Sequence, residues 1–142
     1  MSDMRIEAEL LSAASRLQTV ATGLKKIIGG ELLEDRERDG LDSFGDLFGE
    51  IDWRSKHYKR HENPELSAMA TRLRPIFYGK IIELKVPLDA DYSERVYQTL
   101  KSAGRKVALS PPELVQVQQV FQLMSDKILS GLQDVHMNSD PD

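Results

Sequence analysis

The chain has no cysteine, a single tryptophan and only 6% aromatic residues. Without cysteine there is no disulfide, no thiolate nucleophile and no cysteine-ligated zinc or iron–sulfur cluster. No apolar run approaches the roughly 20 residues of a membrane span. The N-terminus lacks the basic-then-apolar order of a secretory signal, because Glu7 and Glu9 interrupt it. These absences point to a soluble, cytoplasmic protein with no membrane partner. No Gly-x-Ser-x-Gly elbow occurs, Gly29-Gly30 is not followed by a Lys-Ser/Thr pair, and there is no internal repeat.

The 142 residues that are present fit one domain. A chain of this size buries roughly two-thirds of its unfolded surface and needs no covalent staple. The net charge is −4, but it is unevenly spread. Residues 31–52 carry −7 and residues 53–85 carry +5. This abrupt acidic-to-basic switch is the main compositional signal.

Residues 2–28 hold a heptad seam: Ile6, Leu10, Ala13, Leu17, Val20, Leu24 and Ile27. Leu11, Ala14, Ala21 and Ile28 widen it beyond a strict coiled-coil stripe, toward a helix packed in a bundle. Two readings stay open: a core helix of one chain, or a seam between chains. Gly29-Gly30 ends this helix. Residues 29–43, rich in acids and carrying three glycines, read as a mobile loop. Leu41, Phe44, Phe48 and Ile51 then recur at helical spacing with Gly45 and Gly49 between them, so this helix is weak alone. Its aromatics suit a segment that folds into a groove, on a partner or on the same protein.

Asn63-Pro64 starts a further helix, with Pro75 expected to break or kink it near Arg74. Residues 81–86 are readable as helix or strand, and helix is preferred because no second strand offers itself. Asp89 or Asp91 caps a fourth helix toward Ala103. Ser110-Pro111-Pro112-Glu113 is a capping box with prolines in the first turn. Leu114, Val117, Phe121, Met124 and Ile128 form the stripe of a long last helix that Gly131 closes. The expectation is an all-α bundle of four to five helices spanning residues 1–132, with long amphipathic helices at both ends. Residues 133–142 form a disordered tail.

Candidate chemistry is sparse. His57 and His61 stand at i, i+4, the spacing of two ligands on one helix face, with Glu50, Asp52 or Glu62 as a third. Lys56, Lys59 and Arg60 surround the pair and repel a cation, so no metal site and no cofactor are assigned. The acidic run Glu31, Glu34, Asp35, Glu37 and Asp39 has no matching second pair, because Glu50 and Asp52 lie two apart and point to different sides. Arg54, Lys56, Lys59, Arg60, Arg72 and Arg74 can meet a nucleic-acid backbone while Trp53, Tyr58 and Tyr78 stack on bases. The adjacent acids compete for those cations. The reading is a non-enzymatic protein–protein interaction module, an adaptor, chaperone-like protein or inhibitor. It would self-associate or dock a partner through Ile6, Leu10, Leu17, Val20, Leu24 and Ile27, with Phe44, Phe48, Ile51 and Trp53. A nucleic-acid-associated regulator is the alternative.

Overall fold

A computed structural model describes residues 2–57 and 63–138. Those residues form five α-helices and no strand: α1 (Ser2–Ile28), α2 (Asp35–Ile51), α3 (Pro64–Glu83), α4 (Ala90–Lys101) and α5 (Pro111–Asn138). The protein is an all-α helical bundle. The two long helices α1 and α5 pack along one another. α2 lies against α1, α3 and α4, and α3 also reaches α5.

The α1 seam forms one wall of the core. Leu17, Val20, Ala21 and Leu24 have no exposed surface. The helix ends in a Schellman motif: Gly30 takes φ 71°, and the Glu31 N–H donates to the Lys26 carbonyl at 2.9 Å. α5 supplies the facing stripe of Leu114, Val117, Val120, Phe121, Met124, Ile128 and Leu132, all buried. Its start is the box read from sequence. The Ser110 N–H donates to Glu113 at 2.9 Å, and the Glu113 N–H donates back to the Ser110 hydroxyl at 3.4 Å.

Three expectations need correction. Residues 35–43 are not loop but the first half of α2. Glu37 is buried at their start, where it accepts the Glu34 N–H at 2.8 Å and pairs with Lys26 of α1 at 2.9 Å. Gly40, which suggested a loop, instead lets α2 cross α1. A Cβ there would come within 2.7 Å of the Thr19 methyl. Second, α3 does not break at Pro75 but continues to Glu83. A proline in a helix interior costs about 3 kcal/mol, and here Leu73 and Phe77 are buried on either side of it and hold both turns. The helix preferred for residues 81–86 holds through Glu83, and Lys85 at φ 55° then closes α3 in a Schellman turn. Third, α5 continues past Gly131 to Asn138, so residues 133–138 are helical rather than a loose tail.

Phe44 and Phe48 of α2 sit at the centre. Phe44 meets Phe121 edge-on at 5.1 Å, and Phe48 meets Phe77 at 5.7 Å. Glycine spacing made α2 look weak alone, and the bundle supplies what it lacks by burying nearly every residue from Phe44 to Ile51.

Candidate functional site

A dense polar construction lies where α2 ends. Its last carbonyls have no helical partners. Arg74 of α3 supplies them: its Nε donates to the Ile51 carbonyl at 3.1 Å, and an Nη donates to the Glu50 carbonyl at 2.7 Å. Asp52 follows directly and has no exposed surface. Its carboxylate accepts three donors: the Arg54 N–H at 2.9 Å, the Tyr78 hydroxyl of α3 at 2.7 Å and the Ser93 hydroxyl of α4. The Tyr78 oxygen in turn accepts the Trp53 N–H at 2.8 Å. Burial, and then the neighbouring Asp52 carboxylate, push the Tyr78 phenol up to about 12. Three helices thus fix the backbone of residues 52–54.

That frame holds an aromatic–cationic cluster at the surface. The Arg74 guanidinium lies over the Trp53 ring at 4.2 Å, and Arg54 lies over Tyr78 at 4.8 Å. The two rings stand 6.5 Å apart. Trp53 keeps 58% of its surface exposed. Beside it, His57 stacks on Tyr97 of α4 at 3.8 Å. Its Nε2 stands 2.7 Å from Glu94, at ion-pair distance but without hydrogen-bond alignment, and Lys56 reaches the same carboxylate at 3.5 Å.

The structure divides the residues singled out from sequence. Leu17, Val20, Leu24, Phe44, Phe48 and Ile51 are buried within the one chain and present no surface to a partner, because the bundle uses them as core. Leu10 and Ile27 pack against that core, and Ile6 is half-buried. Trp53 alone of that set is largely exposed. Of the six bases, Arg54 and Lys56 face solvent at the Trp53 cluster. Arg72 pairs with Glu9 of α1 at 3.3 Å, and Arg74 is committed to the α2 terminus. Lys59, Arg60, Tyr58, His61 and Glu62 lie outside the described residues. The proposed third ligands are engaged elsewhere. Glu50 is buried and accepts the Ser67 hydroxyl at 2.9 Å, and Asp52 is saturated by its three donors. Among the described residues no group of three or more His, Asp or Glu side chains is placed to hold a metal ion, and no helix is long and apolar enough to cross a membrane.

Sequence reasoning did not find Ser93, Glu94 or Tyr97, which complete the site from α4. Asp52-Trp53-Arg54 did carry one local signal, since an aspartate accepting the N–H two residues on is an Asx turn. The chain matches no protein-family model, no curated protein and no solved structure, so function is argued from its own residues.

Proposed function

We propose that the protein is a non-enzymatic interaction module that docks a protein partner at the Trp53 cluster. The observation that carries this reading is the cost of the frame. A buried carboxylate is expensive unless fully hydrogen-bonded, and here Asp52 takes three donors whose common effect is to position Trp53 and Arg54. An exposed tryptophan flanked by tyrosine and arginine on a rigid support has the composition of residues that dominate interface energies. The solvent-facing charges of Arg54 and Lys56 favour an acidic rim on the partner and act mainly on specificity and association rate. The buried carboxylates Glu37, Glu50 and Asp52 all accept donors from within the fold, which supports a structural role for them rather than a catalytic one. An adaptor, chaperone-like or inhibitor role in the cytoplasm suits this arrangement.

A nucleic-acid partner is the second reading, favoured by Arg54, Lys56 and Trp53 sharing one surface. Capture from host extract with wild type and Trp53→Ala side by side separates the readings. The expected result is a protein held by wild type, lost with Trp53→Ala and indifferent to nuclease. Identical capture by both proteins would sink the assignment of this surface. Capture abolished by nuclease, or falling steeply with salt, would transfer it to nucleic acid.

A further inference from the structure

A second surface, formed by α1 and α5, has little charge along its middle, with Arg36 and Glu37 of α2 at one end. The chain is 30% charged, yet between Leu10 and Leu24 only Arg16 is charged, and from Leu114 to Ser125 nothing is. Burial explains only the inner faces of these segments. On the outside, Leu11 is 52% exposed and Leu129 is 41% exposed. Between them Gln18 of α1 and Gln122 of α5 pair amide to amide, at 2.9 and 3.2 Å. A groove of about 470 Å³ opens on this face. Leu11 and Leu129 stand at one end, Thr22 and Arg36 at the other, with Ser15 and Gln18 between.

From this we infer that the α1/α5 face binds a second copy of the chain across a two-fold axis near Ser15 and Gln18. The inference rests on the reading of an interaction protein but uses a different surface. At a two-fold axis each residue meets its own copy, so a charge there would face its like. Serine and glutamine do not repel themselves, and small side chains let helices approach closely. The groove is also self-complementary end to end. Rotation about its middle lays Leu11 and Leu129 of one copy over the Thr22 end of the other. It also brings Asp126, one turn before Leu129, toward Arg36 of the opposite copy, giving two identical ion pairs. Both Asp126 and Arg36 are exposed. α1 from Met4 to Thr22 is roughly 27 Å long, and two helices side by side are roughly 20 Å wide. The flat footprint of about 500 Å² lies below the roughly 800 Å² per partner of a standard interface. The dimer should therefore dissociate on dilution.

Light scattering across micromolar to sub-millimolar concentration tests this. The expected mass rises toward twice the 16.1 kDa of the chain. Ser15→Arg, on an exposed site, should hold the protein monomeric with unchanged helicity and melting. Arg36→Asp should weaken the dimer at least tenfold, and Arg36→Asp with Asp126→Arg should restore it. Ser15→Cys, the only cysteine in its chain, should cross-link on mild oxidation. A monomer at every concentration overturns the inference, as does a dimer that survives Ser15→Arg or a dimeric Ser15→Cys that does not cross-link. A dimer abolished by Trp53→Ala but not by Ser15→Arg would assign self-association to the other surface. Loss of partner capture with Trp53→Ala while Ser15→Arg alone controls mass would confirm that the two surfaces act separately.

Discussion

Replacing Asp52 with alanine removes the group on which the Trp53 frame depends. A hydrogen bond to a charged group contributes about 1.5–3 kcal/mol, and Asp52 accepts three. Against this, alanine relieves the desolvation of a buried carboxylate, which is several kcal/mol. The Ser93 hydroxyl, with no exposed surface, is left without its acceptor, at about 1–3 kcal/mol. The net loss should be about 3 kcal/mol, the lost hydrogen bonds and the stranded Ser93 hydroxyl less the relieved desolvation. That is about a 10 °C fall in Tm for a domain of this size. Asp52→Asn keeps the shape and one acceptor and should cost about 1 kcal/mol. Urea unfolding followed by circular dichroism measures both. A second readout is independent of stability. The Tyr78 phenol, pushed up to about 12, should titrate lower in Asp52→Ala yet stay above its ordinary value, because burial rather than Asp52 is its largest cause. An Asp52→Ala protein within 0.5 kcal/mol of wild type, well inside the ordinary effect of a surface change, would refute the reasoning.

Phe48→Ala should cost about 3–5 kcal/mol, because Phe48 is 1% exposed and meets both Phe77 and Phe121 edge-on. Thermal melting checks this, and a loss under 1.5 kcal/mol would mean that the cluster repacks. Ala103→Gly should stabilise the protein by about 0.5–1 kcal/mol, because alanine sits in the left-handed region at φ 56° to close α4. Its urea midpoint should rise. Glu113 is held at about 2, first by Arg95 and then by the Ser110 N–H. A carboxyl depressed in the folded state stabilises above its unfolded pKa and loses that contribution as pH falls through the folded one. The urea midpoint of Glu113→Gln should therefore trail wild type at neutral pH, with the gap closing between about 4.5 and about 2. A gap that stays constant with pH would refute the assignment.

The parts of the fold legible in the sequence were those whose signals are local. Ser110 and Glu113 announce α5 from three residues apart, and Leu114 to Ile128 repeat at one period. The α1 seam was equally plain, but its periodicity could not say whether a partner or the same chain covers it, because both require the same pattern. α2 was misread where its reasons are distant. Glu37 looks like one more solvated acid until Lys26, eleven residues away, is beside it. Gly40 looks like a breaker until Thr19 is against it. The site follows the same rule. Trp53 was identified by type, whereas Asp52 depends on Tyr78 and Ser93, 26 and 41 residues on, and no spacing rule joins them.

Trp53 is the only tryptophan in the chain, so its emission reports on the proposed docking surface alone. The decisive measurement is its fluorescence and acrylamide quenching while a partner captured by wild type is titrated to saturation, using partner without tryptophan or with its own signal subtracted. The account predicts a blue shift and protection from quencher as the 58% of exposed surface is covered. Saturated binding with unchanged emission and full quenching would place the contact elsewhere and contradict it.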